Sequence, residues 1–256
     1  MSKNLKDICR KVVAVGRNYA DHAKELGNKV ESSPAIFLKP SSCIIEEGKI
    51  KLPNGASEVH HEVELGLVIG KSLTNVKAEE VKDPLNLIQP LCFWGKFCLF
   101  WGDCGETAKQ NFENMVYSAI LGYVVALDLT DRPLQNQLKA SGLPWTLAKC
   151  FDTACPVGPI LPLESLPAGI LTSRQEFQKV DNEIWLKVNQ LERQRSKLNM
   201  MVWTPADLVS IITKRISLQY GDLILTGTPA GVGPLKSGDE IEAGLDDLCS
   251  IKISVE

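Results

Sequence analysis

Short apolar runs of strand length, separated by glycine and proline, recur along this chain. Helical periodicity is clearest at TPADLVSIITKRI, where Thr204 can cap the helix and Pro205 fits its first turn. A shorter helix is predicted at NYADHAKELG, closed by Gly27. The apolar face of the longer helix is expected to comprise Leu208, Ile211, Ile212 and Ile216. Strands are predicted at KVVAVG, PAIFLKP, VELGLVIG, GYVVALDLT, IWLKVN, GDLILTGTP and SIKISVE. This pattern favours a predominantly β domain of the α+β class with short peripheral helices.

Composition narrows the function classes. The chain has 256 residues, 44% of them hydrophobic, which is enough for a substantial core in a single domain spanning residues 1–256. A net charge of −3 leaves no broad basic surface, so nucleic acid is not an expected partner. The longest apolar stretches are broken by Lys96 and fall short of the roughly 20 residues that span a bilayer, so no membrane association is predicted.

The compartment is inferred from what the sequence lacks. The first residues show no apolar signal-peptide core, so secretion is not predicted, while a mitochondrial presequence stays open. Eight cysteines occur without CxxC spacing, and we interpret them as reduced thiols. The expected location is the mitochondrial matrix, the cytosol or both.

Residues 82–117 stand apart from the rest. They crowd tryptophan, phenylalanine and cysteine without helical or strand periodicity, and we interpret them as an insert. We expect a poorly ordered surface excursion, peripheral to any site, whose ends return close together. An alternative or misassigned transcript is a second explanation for this segment.

Candidate chemistry begins with HHEVELG, residues 60–66. In a strand, His60, Glu62 and Glu64 lie on one face and the intervening apolar residues on the other. Two carboxylates roughly 7 Å apart repel unless a cation lies between them, and Mg²⁺ or Mn²⁺ suits oxygen ligands better than zinc. A solvated polar face is the alternative. A lone carboxylate in another apolar strand, Asp128 of YVVALDLT, also needs a partner.

The motifs GRNYADHAKEL, FLKP, HHEVELGLVIG, LDLTDRPLQ, GLPWTLAK and LTGTPAGVGP follow one another in this order. Together they resemble the fumarylacetoacetate hydrolase superfamily, most closely its acylpyruvase and oxaloacetate decarboxylase branch. The resemblance implies a β-roll fold, a homodimer and Mg²⁺ or Mn²⁺ held by three carboxylates. Matched motif by motif, these ligands are Glu62, Glu64 and Asp128.

The resemblance also assigns catalytic roles. His22 and Glu25 lie three residues apart, on one face of the predicted helix. In relatives this segment is a lid whose His–Glu pair orients or activates water. Lys149 ends an almost uncharged stretch, so we expect its ammonium to face an anionic ligand or the metal carboxylates. Exposed surface positions are the alternative for all three residues.

Substrate contacts are expected from three further residues. Arg132 and Gln135, three apart after the Asp128 strand, resemble the substrate-contacting pair of the superfamily. Thr228, in the turn TGTP, offers a hydroxyl to a carboxylate. Solvated side chains and an ordinary turn are the alternatives. Lys39 of FLKP is expected to lie behind the metal ligands.

The implied substrate is a small 2-oxo acid, whose enolate a divalent cation would stabilise. The expected reactions are hydrolysis of acylpyruvates and decarboxylation of oxaloacetate. A hydratase, isomerase or tautomerase of the same superfamily is the first alternative, and an inactive scaffold is the second. Two departures from the superfamily pattern retain the inactive scaffold as an alternative. Glu64 and Asp128 are separated by a long segment, and VNQLERQ lacks the glycine that is usual in its hairpin.

Overall fold

The computed structural model describes residues 4–25, 33–76, 115–166, 169–171 and 174–256. The helices are α1 Leu5–Ile8, α2 Ala20–Glu25, α3 Arg132–Ala140, α4 Thr146–Lys149, α5 Arg174–Phe177 and α6 Pro205–Thr213. The strands are β1 Lys11–Gly16, β2 Ala35–Pro40, β3 Ile44–Ile45, β4 Lys49–Ile50, β5 Val59–His61, β6 Val63–Ile69, β7 Ile120–Leu127, β8 Thr130–Asp131, β9 Cys155–Pro156, β10 Glu183–Val188, β11 Leu191–Lys197, β12 Leu223–Leu225, β13 Gly233–Leu235, β14 Glu240–Leu245 and β15 Cys249–Val255. Residues 115–119 are also helical.

A five-stranded sheet with the order β2-β1-β12-β6-β7 carries the site. Strands β1 and β12 are parallel, and the other pairs are antiparallel. Close packing between β6 and β7 depends on Gly66, where an added Cβ would lie 2.6 Å from the Val124 side chain. Every residue of β6 is buried. The alternative of a solvated polar face is therefore wrong, because the polar face that carries Glu64 is buried like the apolar one.

A second five-stranded sheet, with the order β11-β10-β14-β15-β4, packs against the first. Strand β6 contacts β10, and β7 contacts β14 and β15, so the main core lies between the two sheets. Two smaller sheets, β13-β5-β8 and β3-β9, complete the described strands. The predicted α+β class, predominantly β with short helices, is confirmed.

Helix α6 begins as the sequence indicates. The Thr204 hydroxyl accepts from the Asp207 N–H, the Asp207 carboxylate accepts from the Thr204 N–H, and Pro205 occupies the first turn. Its buried surface is broader than the predicted face. Leu208 and Ile212 are buried, but Ile211 and Ile216 are only partly so, while Ala206, Val209 and Ser210 also lie inside. Ser210 is tolerated there because its hydroxyl donates to the Val76 carbonyl at 3.1 Å.

The hairpin between β10 and β11 forms without glycine. Asn189 and Gln190 both adopt left-handed backbone, with φ of 51° and 67°. The Asn189 side chain supports this turn by accepting from the Glu240 N–H at 2.9 Å and donating to Asp239 at 2.8 Å. The missing glycine has therefore not prevented the hairpin.

Most of the predicted insert lies outside the described residues. Its last part, residues 115–117, belongs to the helical turn, and Val116 is fully buried. At the base of the β6–β7 pair, the Gly70 N–H donates to the Ala119 carbonyl at 2.7 Å. No helix among the described residues is long and apolar enough to cross a membrane. The cysteines within those residues, Cys9, Cys43, Cys150, Cys155 and Cys249, are free thiols; Cys92, Cys98 and Cys104 lie outside them.

Candidate metal centre and active site

Three buried carboxylates converge where the β6–β7 pair ends. Glu62, Glu64 and Asp128 each present an oxygen within 4.8 Å of the others. All three are nearly inaccessible to solvent, with exposed fractions of 6%, 1% and 1%. A cluster of this kind repels itself in a low-dielectric interior unless cations compensate for it.

Strand register explains why Glu62 and Asp128, 66 positions apart in sequence, meet. The β6–β7 ladder ends at the pair Val63–Leu127, which leaves Glu62 and Asp128 opposite one another just beyond it. The Asp128 N–H donates to the Glu62 carbonyl at 2.9 Å, which joins the two backbones. Glu64 is in β6, and its carboxylate accepts from the Gly227 N–H at 2.6 Å.

Three cations contact the cluster directly. Lys149 donates to Asp128 at 2.6 Å and to Glu62 at 3.1 Å. Lys39 is fully buried and donates to the other Asp128 oxygen at 2.6 Å. Arg132 forms an ion pair with Glu62. The expectations that Lys149 faces the carboxylates and that Lys39 lies behind a ligand agree with these contacts.

The surroundings shift the pKa values of Glu62 and Glu64 in opposite directions. Burial opposes ionisation of Glu62, but the charges of Lys149 and Arg132 outweigh it and hold its pKa well below the usual range. For Glu64, burial and then the negative charges of Asp128 and Glu62 raise the pKa well above its usual value. At Lys39, burial lowers the pKa of the ammonium, but the charge and hydrogen bond of Asp128 together with the neighbouring cysteines outweigh it, and the net effect raises the pKa.

The residues present suit a divalent cation. The donor set contains only oxygen, which Mg²⁺ and Mn²⁺ prefer. Beside it, the Tyr19 hydroxyl is buried with no protein partner among the described residues. Burial and the charge of Glu64 both raise the pKa of that hydroxyl, so it stays protonated, able to bond a water or another ligand of a bound cation. Glu62, Glu64 and Asp128 would hold the ion.

The predicted lid pair is present on α2. His22 is 5% exposed, and its Nδ1 lies 3.0 Å from the Glu25 carboxylate. That carboxylate also accepts from the Gly231 N–H at 3.0 and 3.2 Å. The contact joins α2 to the loop that contains Gly227, whose N–H binds Glu64. His22 also contributes to the low pKa of Glu62, which places the imidazole in the field of the cluster.

The predicted substrate residues occupy two sides of the cluster. On α3, one Arg132 nitrogen donates to Gln135 at 2.7 Å and another pairs with Glu62, while Nε is buried without a partner among the described residues. Gln135 is 3% exposed and bonds to Arg132 rather than to the carboxylates. Thr228 lies on the other side, next to Gly227 in the loop after β12.

A sequence model of the fumarylacetoacetate (FAA) hydrolase C-terminal family matches residues 11–89 and 103–256. The chain belongs to the fumarylacetoacetate hydrolase family. It is 38% identical over 248 residues to mitochondrial oxaloacetate tautomerase FAHD1 of Mus musculus, covering 96% of this chain and 92% of that protein. It is 36% identical over 241 residues to mitochondrial oxaloacetate decarboxylase of Dictyostelium discoideum, covering 93% and 90%.

A solved member of this family shares the fold. Fumarylpyruvate hydrolase from Pseudomonas aeruginosa, crystallised in complex with Mn²⁺ and pyruvate, superposes with a TM-score of 0.74 at 29% sequence identity. The match covers 96% of this chain and 89% of that one. The superfamily resemblance drawn from the motifs is confirmed.

Sequence reasoning missed several supports of this fumarylacetoacetate hydrolase site. Thr130 donates to Glu62 at 2.8 Å. Asn18 joins the backbones of two segments, donating to the Thr226 carbonyl at 2.7 Å and accepting from the Trp203 N–H at 2.7 Å. Gln194 is buried in β11, whose other residues are exposed or partly so. A weak signal existed for Gln194, because it is a neutral side chain between two arginines in LERQRSK.

Proposed function

We propose that this chain is a Mg²⁺- or Mn²⁺-dependent enzyme that hydrolyses acylpyruvates, decarboxylates oxaloacetate, or does both. The convergence of Glu62, Glu64 and Asp128 on one point, with Lys149 bridging two of them, carries the proposal. The names of the relatives support it, since they include an oxaloacetate decarboxylase and a fumarylpyruvate hydrolase.

Charge balance favours an anionic substrate. The cluster of three carboxylates is matched by three cations, Lys39, Lys149 and Arg132, which contact Glu62 and Asp128. A divalent cation therefore leaves the cluster positive, and a 2-oxo acid supplies the compensating negative charge. When bound, the metal ion would act as a Lewis acid on the 2-oxo oxygen.

The protein's own groups would then divide the remaining work. Lys149 keeps Glu62 and Asp128 in place and adds positive charge beside an enolate oxygen. The unpartnered Nε of Arg132 offers a buried donor for a substrate carboxylate. His22, oriented by Glu25, accepts a proton from water as that water attacks the acyl carbonyl.

These roles account for two balanced reactions. In hydrolysis, water adds to the acyl carbonyl and the C–C bond to the pyruvate unit breaks, which gives a carboxylate, pyruvate and a proton. In decarboxylation, oxaloacetate loses CO₂, and the resulting enolate takes up a proton to form pyruvate. Only hydrolysis needs an activated water.

Oxaloacetate tautomerisation is the second candidate. Relatives named oxaloacetate tautomerase, including the one from Mus musculus, favour it. This reaction moves one proton between C3 and the enol oxygen without breaking a C–C bond. The same cluster of cations would stabilise the shared enolate.

One purified sample with Mg²⁺ tests both candidates. Acetylpyruvate cleavage, CO₂ release from oxaloacetate and enol-to-keto conversion of oxaloacetate are measured in parallel, with Asp128→Ala as the inactive variant. Asp247→Ala, at an exposed turn position, is the matched control. Tautomerisation without cleavage or CO₂ release would favour the second candidate, and no Mg²⁺-dependent reaction at all would contradict both.

Assembly and location complete the proposal. We expect a homodimer, measurable by light scattering after gel filtration. The mitochondrial names of relatives from animals, a plant and Dictyostelium discoideum support the mitochondrial matrix as the location. Fractionation of cells that express the tagged chain would distinguish the matrix from the cytosol.

A further inference from the structure

Gln194 forms hydrogen bonds to two separate segments of the site, the one that contains Val63 and the loop that contains Thr228, without contacting a carboxylate. Its side chain is 1% exposed and lies between the segment that carries Glu62 and Glu64 and the loop that contains Thr228. A polar amide buried to this degree must have its hydrogen bonds satisfied, and here four contacts do so.

These contacts fix the orientation of the amide. The Val63 N–H can only donate, and it lies 3.1 Å from the Gln194 oxygen. The Pro229 carbonyl can only accept, and it lies 2.9 Å from the Gln194 nitrogen. His61 Nδ1, 3.0 Å from the same oxygen, must then carry the hydrogen, which suits a neutral imidazole whose pKa is lowered chiefly by burial.

The remaining contact determines how Thr228 is used. The Gln194 nitrogen lies 2.8 Å from the Thr228 hydroxyl oxygen. Because that nitrogen is a donor, the hydroxyl accepts there and its own hydrogen points elsewhere. Within the described part of the chain, no acceptor contacts that hydrogen. Thr228 is buried, and the N–H of the preceding residue, Gly227, donates to Glu64, so the backbone that carries Thr228 contacts the carboxylate cluster.

We propose that Gln194 is a positioning residue that forces the Thr228 hydroxyl to act as a donor toward the ligand. The group received there is an acceptor, namely a carboxylate or 2-oxo oxygen of the 2-oxo acid. This inference rests on the proposed function, because it requires a 2-oxo acid to bind beside the metal. It assigns Gln194 an effect on substrate affinity that runs through Thr228 alone.

A double-mutant cycle tests that route. The variants are Gln194→Met, which keeps the side-chain length without the amide, Thr228→Val, which keeps the shape without the hydroxyl, and the pair. The probe is pyruvate, titrated calorimetrically into Mg²⁺-loaded protein, with Mg²⁺ affinity measured separately. Each single change is expected to weaken pyruvate binding about tenfold, and the pair by about the same factor. Mg²⁺ affinity should not change.

Gln194→Glu provides a second measurement that differs from wild type by one functional group. One carboxylate oxygen replaces the amide nitrogen, so the Thr228 hydroxyl turns to donate to Glu and no longer to the ligand. Pyruvate affinity should fall at least as far as in Gln194→Met, at unchanged Mg²⁺ affinity. This comparison also serves if Gln194→Met is poorly folded.

If the double variant loses pyruvate affinity by the product of the two single losses, Gln194 acts independently of Thr228 and the inference is overturned. A parallel loss of Mg²⁺ affinity would also overturn it, because Gln194 would then only support the region around Glu64. A wild-type protein that binds Mg²⁺ but not pyruvate would instead contradict the proposed function, and the inference with it.

Discussion

Glu62 and Glu64 are separated by one residue but experience opposite electrostatics. Glu62 is ionised because Lys149 and Arg132 outweigh the cost of its burial. No cation among the described residues forms an ion pair with Glu64, and burial together with the neighbouring carboxylates favours its neutral form. We therefore expect the metal-free cluster to hold a proton on Glu64. This difference gives two predictions.

Metal binding should release a proton. Because burial and the neighbouring carboxylates raise the pKa of Glu64 well above its usual value, we expect its carboxyl to be protonated before binding, and a metal ligand must be deprotonated. Titration with Mg²⁺ at neutral pH, in buffers of different ionisation enthalpy, should show release of about one proton per ion. Affinity should rise with pH until Glu64 is ionised. Release of no proton, with affinity independent of pH, would contradict this assignment.

Replacing each glutamate by its neutral isostere, glutamine, should change the free energy of unfolding of the metal-free protein differently at the two positions. Glu64→Gln replaces a carboxyl that is already neutral and keeps an acceptor for the Gly227 N–H, so the free energy of unfolding should not fall. Glu62→Gln removes charge-assisted bonds to Lys149 and Arg132 and should cost about 1.5–3 kcal/mol. Denaturant unfolding at pH 7 with a chelator measures both. Equal losses would show that the glutamates have the same protonation state.

At the scale of elements, α2 and the loop of residues 226–231 act on the site together. The loop binds Glu64 through Gly227 and Glu25 of α2 through Gly231, so the proposed water-activating pair is tied to the same backbone as a proposed metal ligand. His22→Ala should therefore slow acetylpyruvate hydrolysis by about 10² to 10⁴ and affect oxaloacetate decarboxylation much less, since only hydrolysis needs an activated water. Steady-state rates of the two reactions provide the measurement.

Glu25→Gln is the matched control for the position of the lid. Glutamine still accepts from the Gly231 N–H and so preserves the connection, but it no longer offers a carboxylate to His22. Hydrolysis should decrease here as well, while decarboxylation is retained. Equal losses of both reactions in both variants would indicate that α2 mainly excludes water.

At the scale of the molecule, the aromatic-rich segment between β6 and β7 is the main departure from a regular family member. The family match leaves out residues 90–102, which fall inside the predicted insert. Val116, near the end of that insert, is fully buried, so a deletion should spare residues 115–117. Replacing residues 90–102 by a short glycine–serine linker should preserve Mg²⁺ binding and improve solubility, because loop length contributes only about 0.6 kcal/mol per doubling.

Light scattering and calorimetry on the shortened protein check this expectation. If the full-length chain binds Mg²⁺ and the shortened one does not, the segment is part of the working structure. A linker replacing residues 115–119 is the contrasting variant, and it should destabilise the protein because it removes the buried Val116 side chain and the helical backbone that directs the Ala119 carbonyl to the N–H groups of Gly70 and Lys71.

The sequence by itself determined the elements with strong local signals and the identity of the candidate site. Alternating apolar runs located β1, β2, β6, β10 and β15, and the Thr204–Pro205 start located α6. The ordered motifs pointed to the superfamily and to Glu62, Glu64 and Asp128, since these residue types appear in sequence whatever the fold does with them. Their convergence was expected from the resemblance, and the ligand and substrate roles remain predictions.

Only the tertiary structure decided the contacts between distant segments. Periodicity divided β6 into an apolar face and a polar face and left solvation of the polar face as an alternative, but every residue of the strand is buried between its neighbours β7 and β12. The opposite pKa shifts of Glu62 and Glu64 depend on which carboxylate Lys149 and Arg132 contact, which no local pattern encodes. Gln194 lies in a largely polar strand, whose sequence predicts exposure throughout. It is buried because the segment containing Val63 and the loop containing Pro229 both pack against its side chain. Hydrogen-bond direction and buried charge are set by neighbours in space, and these neighbours exist only once the chain has folded.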